Sequence, residues 1–231
     1  MSKISFRRAG IAAFAVICLG AIGAATAAET PKLTEILFDR PHIAAIAPGT
    51  DLVYKFERKP SNPKALGEGF TDDIVVKIES DGAPGKKNVL IKMYSGDRAR
   101  EPQRITDMDG NPMLIVFLDN AVAHFRMLAG GDSAYLKGTF SKYLGDGATI
   151  APATIVYKGQ PVEGYKVTAT PYANDPSRAK MNGFEGATFT IALSDKIPGY
   201  FAKMTSEYTN TDKNSPTLEE TTTLEGVGDV K

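Results

Sequence analysis

The stretch "GNPMLIVFLDNAVAHFRMLAGGDSAYL", residues 110–136, is the most apolar run downstream of the N-terminal leader, and its reading decides the fold. Taken as a membrane span it makes an anchored protein; taken as a buried helix it makes the centre of a globular core. Asn111-Pro112 is a helix start, because Asn caps free amide groups and proline at the first position loses no hydrogen bond. Gly130-Gly131 is the matching stop. The enclosed helix, 112–129, is interrupted by Asp119, Asn120, His124 and Arg126, so its longest uninterrupted apolar run is Met113–Leu118. That is far short of the ~20 apolar residues a span requires. At about 100° per residue the four polar side chains share one arc, while Leu114, Phe117, Leu118, Ala121, Phe125 and Leu128 lie opposite. The pattern predicts a core helix with Phe117 and Leu118 buried and His124 on its rim.

The residues after the stop predict a second helix, 133–144, with Asp132 or Ser133 as its N-cap. Outward from this pair the period changes to two. "DLVYKFER" (51–58), "DDIVVKIES" (72–80) and "NVLIKMY" (88–94) alternate on one side, with a turn at "DGAPGKK". "ATIVYKG" (153–159), "VEGYKVTAT" (162–170), "ATFTIALS" (187–194), "YFAKMTSEY" (200–208) and "TLEETTTLEGV" (217–227) follow on the other. "LTEILFDRPHIAAIAPG" reads as short helical turns broken at Pro41, and "SGDRAREPQRITDMDGNP" as a polar connection. Strands, two helices and more strands predict an α+β domain spanning 28–231. Its large curved antiparallel sheet of about seven or eight strands packs on a central pair of helices.

The N-terminus predicts export. Lys3, Arg7 and Arg8 precede a short apolar segment, and Ala25-Thr26-Ala27 fits a signal-peptidase site, so residues 1–27 read as a cleaved signal peptide. Phe6 and Ala9-Gly10 around the arginine pair favour the general export route over the twin-arginine one. Ile17 before Cys18 disfavours lipidation. Cleavage would remove Cys18, the only cysteine, which excludes disulfides and thiolate chemistry and predicts a periplasmic product without a membrane span. It would also leave three more acidic than basic residues, a balance with no electrostatic footprint for nucleic acid. Lys86-Lys87 and the group Arg98, Arg100, Arg104 read as solvated turns.

Catalytic and metal signatures are weak. Gly131-Asp132-Ser133 lacks the strained turn of a hydrolase nucleophile, though Ser133, His124 and an Asp remain a candidate hydrolase set. "DMDGN" (107–111) has alternating oxygen ligands but lacks the rest of a calcium loop. A first-row metal would need both His42 and His124 with acidic partners. No cofactor is implied and no catalytic residue is assigned.

In the order of these elements the chain resembles the periplasmic lipoprotein carriers, in which a curved half-barrel sheet is lined by apolar side chains. It is also similar to exported proteobacterial proteins. The resemblance covers most of the chain and assigns no residue a role. It implies a non-enzymatic binding protein for a lipid, another apolar ligand or an envelope protein. An envelope hydrolase and a purely structural domain are the alternatives.

Overall fold

The computed structural model describes residues 31–230. The expected signal peptide, with Cys18 and its cleavage site, lies outside the described residues. Ten strands form one antiparallel sheet. β1 (Asp51–Pro60), β2 (Phe70–Asp81), β3 (Lys87–Met93) and β4 (Gln103–Met108) make a first meander, with a single helical turn α1 (Pro63–Leu66) after β1. Helices α2 (Met113–Ala129) and α3 (Ser133–Asp146) come next. β5 (Thr149–Tyr157), β6 (Gln160–Ala169), β7 (Thr188–Leu193), β8 (Phe201–Tyr208) and β9 (Leu218–Leu224) make the second meander, and β10 (Val227–Val230) ends it. The strand order is β10-β5-β6-β7-β8-β9-β1-β2-β3-β4, so the pairing of β9 with β1 joins the two meanders. This is the expected α+β class with a large curved sheet.

Two strands exceed the expectation. β4 lies within the stretch read as a polar connection: it is an edge strand, mostly exposed and polar, and so shows no apolar alternation. β10 is a four-residue strand at the opposite edge of the sheet.

The sheet cannot be flat. Only Glu225 and Gly226 separate β9 from β10, yet β8, β7, β6 and β5 lie between them in the sheet. Five strand spacings of about 4.8 Å make roughly 24 Å, whereas the linking residues reach about 11 Å at full extension. The second meander must therefore roll until the β5–β6 hairpin meets the end of β9. The contact is made where Lys158 N–H donates to the Gly226 carbonyl, while Glu225 N–H donates to Val53 O on β1 at 2.8 Å. Gly164 marks the bend, because β6 pairs with β7 only from Tyr165 onward. A Cβ at Gly164 would collide with the Leu193 carbonyl and stand 2.7 Å from Ile155 Cδ1.

Helices α2 and α3 fill the concave side. Phe125 stacks on Tyr172 at 4.0 Å between ring centres, Phe140 meets Phe189 at 4.6 Å, and Phe189 meets Tyr208 edge-on at 5.8 Å. Two buried phenols also donate to helix carbonyls: Tyr208 to Ala121 at 3.1 Å and Tyr172 to Leu136 at 3.2 Å. Phe117, Ala121 and Phe125 are buried as the helical pattern predicts, whereas Leu118 is only partly covered. Leu118 faces the seam with α3, where it lines a small groove beside Phe140. Asn111 Oδ1 accepts Met113 N–H at 3.0 Å, and Asp132 rather than Ser133 caps α3 by accepting Tyr135 N–H at 2.9 Å. Among the described residues no helix is long and apolar enough to cross a membrane.

Replacing Phe117 by Ala should cost about 3–5 kcal/mol in urea melts, as aromatic truncation in a packed core does. Asp119→Ala should cost under about 1 kcal/mol, since its partner Lys137 and Asp119 itself are both more than half exposed. The reverse ranking would show the helix faces to be misassigned. Gly164→Ala should cost about 1–3 kcal/mol from overpacking, measured the same way. A neutral result there would remove Gly164 as the bend.

Candidate functional site

Rolling the second meander leaves an open cleft at one end of the sheet, with a volume of about 740 Å³. Its floor is the middle of the β5–β6 hairpin, where Pro152, Ala153 and Thr154 pair with Tyr165, Gly164 and Glu163. Among the described residues β10 pairs with β5 at Ile155 and Tyr157, beyond the first half of β5, where Pro152 lacks a backbone donor. One wall is the turn after β7, Ser194–Lys196. Ser194 Oγ donates to Glu163 O at 2.6 Å and accepts Lys196 N–H at 3.2 Å, while the Lys196 ammonium pairs with the Glu163 carboxylate at 3.0 Å. The other wall comes from the N-terminal segment: Ile36 and Arg40, with Tyr200 beside them. Ile36 sits in a π-helical turn, Glu35–Asp39, which ends at Arg40 ahead of Pro41, where the sequence places a break. Carbon-rich walls thus carry a polar rim of both charge signs.

A second polar centre lies on the sheet's concave face beside α2. Arg58 of β1 and Glu220 of β9 are direct cross-strand partners and are buried, at 9% and 5% exposure. Arg58 Nε stands 3.3 Å from Glu220 Oε1 but out of line for a hydrogen bond, so the contact is one of charge alone. The terminal nitrogens of Arg58 donate instead to the carbonyls of Glu68 at 3.3 Å and Leu66 at 2.9 Å. The other carboxylate oxygen accepts the Nδ1–H of His124 at 2.6 Å. The triad therefore ties α2 to the middle of the sheet.

The residues named from the sequence separate. Ser133 begins α3, and His124 is committed to Glu220, so the structure does not assemble them into a nucleophile and base. His42 lies elsewhere, bonded to Ile36 and Asn111, which puts the two histidines in different environments. Among the described residues no three of His, Cys, Asp and Glu gather as metal ligands. In "DMDGN", Asp107 accepts Ala83 N–H at 2.7 Å and Asp109 accepts Gly110 N–H at 2.8 Å, so both close turns.

The basic clusters are more structural than the sequence indicates. Lys87 is buried and paired with Asp81 at 2.6 Å. Arg98 pairs with the buried Asp72 at 3.0 Å and lies over Phe70, while Arg100 lies over Tyr94. The sequence reading missed Arg58 and Glu220, although both occupy positions of core parity in alternating strands. It missed the cleft entirely, because that site draws on four separate segments.

No protein-family model matches the chain, and no curated protein matches it. Among solved structures, the crystal structure of the Mycobacterium tuberculosis lipoprotein LppX is similar at 13% identity with a TM-score of 0.34, covering 83% of this chain and 92% of that one. This is a loose likeness at the level of fold.

Glu220→Ala should cost about 3–5 kcal/mol in a denaturant melt, because it strands a buried guanidinium. Replacing Arg58 by Met and Glu220 by Leu together should recover most of that loss. A double variant no more stable than Glu220→Ala would show that the pair does more than balance charge.

Proposed function

We propose that the chain is an exported, non-enzymatic binding protein of the periplasm that takes an apolar or amphiphilic molecule into the cleft at the rolled end of its sheet. The observation that carries this reading is the cleft itself. Its volume lies within the range of about 300–1,000 Å³ typical of small-molecule sites, and Ile36, Pro152, Ala153, Tyr165 and Tyr200 line it beside Arg40, Glu163 and Lys196. A charged rim beside a tyrosine- and proline-lined floor suits a ligand with an apolar body and a polar end.

The proposed site is not the centre of the sheet. The space between the sheet and the central helices is occupied by Phe125, Phe140, Tyr172 and Phe189, so the helices plug the middle of the concave face. The ligand is assigned instead to the end of the sheet, where the helices do not reach. Export and a periplasmic location rest on the N-terminal segment of the sequence, with its basic start, apolar run and Ala25-Thr26-Ala27.

A fluorescent fatty-acid analogue should bind the protein saturably at one site. Ala153→Phe, which fills the cleft, should weaken that binding at least tenfold, about 1.4 kcal/mol, while leaving the melt near that of the wild type. Binding that is absent, or indifferent to Ala153→Phe, would end the cleft reading. Loss of binding on filling the groove between α2 and α3 with Ser141→Phe would relocate the site.

A further inference from the structure

Residues 33–46 form a strap across the open end of the sheet, and they supply Ile36 and Arg40 to the cleft wall. Leu37 and Ile43 anchor the strap in the core. Its polar fastenings to the rest of the fold are the Ile43 N–H, which donates to Asp109 O at 3.3 Å, and His42, which is 3% exposed and packs against Tyr200 at 4.9 Å and Phe201 at 4.8 Å between ring centres.

The hydrogen bonds of His42 fix its protonation state. Asn111 N–H donates to Nδ1 at 3.2 Å, so Nδ1 carries no proton, and Nε2–H donates to the Ile36 carbonyl at 2.9 Å. One bond folds the strap on itself; the other ties it to the residue that opens α2. Only the neutral ring can make both. A second proton, on Nδ1, would face the Asn111 N–H, and a hydrogen bond would become a contact between two donors.

The charged groups facing the ring are Arg40, on the strap itself, and Asp109, from the connection before α2. Arg40 opposes protonation and Asp109 favours it, and Arg40 is turned toward Glu35 at 3.1 Å. From the β8 side the ring meets Tyr200 and Phe201. Burial is the largest influence, and it pushes the imidazole below its ordinary value.

We propose that His42 is a pH-sensitive latch: its neutral ring holds the strap against the cleft, and its protonation loosens the strap and opens the cleft. The gating half of this proposal rests on the reading of the cleft as a binding site. The direction follows from linkage. A base whose folded value lies below its unfolded one, about 6.5, contributes stability that is fully present above pH 6.5 and is lost as pH falls toward the folded value. The latch therefore loosens on the acid side of neutrality. His124 differs in geometry, because its Nδ1–H faces the Glu220 carboxylate rather than a backbone donor. Acid thus removes one tie between the strap and Asn111, whose side chain stays bonded to Tyr54 and Gly199.

The test is amide hydrogen exchange of the full chain without ligand, at about pH 7.5 and about pH 5, corrected for intrinsic rates. Strap amides and the Asn111 amide should lose protection at least tenfold relative to α3 amides. His42→Asn, whose carbonyl oxygen stands near the position of Nδ1 and does not titrate, should abolish the pH difference. If that variant does not fold, imidazole nitrogen shifts of the wild type decide. A bare Nδ1 at neutral pH that gains a proton in step with the loss of Asn111 protection supports the latch. Unchanged strap protection, or a ring that never gains its second proton as protection falls, overturns it. Flat exchange alongside probe binding that Ala153→Phe blocks would overturn the latch and spare the cleft; pH-dependent exchange without probe binding would do the opposite.

Discussion

Everything at the cleft end of this molecule depends on a two-residue link. Glu225-Gly226 joins β9 to a strand that pairs five places away in the sheet, and a chain that short leaves the sheet no choice but to roll. Rolling brings the β5–β6 hairpin toward β1 and β9, and it requires a residue without a side chain at 164. Among the described residues it also leaves the first half of β5 paired with β6 alone. The cleft is the space beside that half. It follows from connectivity more than from any local preference of the residues that line it.

The middle of the concave face is held by a different balance. Each large aromatic side chain buried there contributes about 1.5–3 kcal/mol by leaving water, and the ring pairs add to that. The Arg58–Glu220–His124 triad adds little to this sum, since desolvating two charges offsets most of their attraction. Its effect is positional. Arg58 also satisfies two carbonyls of the loop after β1, so one ionic group fixes β1, β9, that loop and α2 in register. The tyrosine hydroxyls do the same with neutral bonds, Tyr208 holding α2 and Tyr172 holding α3.

What the sequence makes legible is what repeats. Leu52, Tyr54 and Phe56 alternate, as do Leu218, Thr222 and Leu224, and the inward face of each strand follows directly. The same parity places Arg58 and Glu220 inside with opposite charges, a pairing visible in principle from two alternating strands. His124 falls on the rim of α2 because helical geometry puts it there, and the structure supplies the carboxylate it faces. β4 escapes detection because an exposed edge strand has no face to pattern. The cleft escapes for a deeper reason: Ala153 and Gly164 are hairpin partners, but Ile36 and Ser194 reach them from separate segments, and no periodicity in any one segment encodes that approach.

The two ends of α2 show how the fold divides rigidity from adaptability. Its later turns are fastened to a buried carboxylate and covered by aromatic rings, contacts that open only when the core itself opens. Its entry is fastened by Asn111, whose side chain donates to Tyr54 Oη at 2.8 Å and to Gly199 O at 2.7 Å, and whose amide leans on the ring of His42. Burial raises the Tyr54 phenol far above its ordinary value, so that contact does not titrate in any physiological range. The His42 contact is the tie in this group that changes with protonation, and burial moves that change below the ordinary histidine value. The strap has no long helix or paired strand of its own, and segments of that kind occupy the low end of local stability. A modest change in one hydrogen bond therefore acts on the strap and leaves the plugged sheet behind it intact.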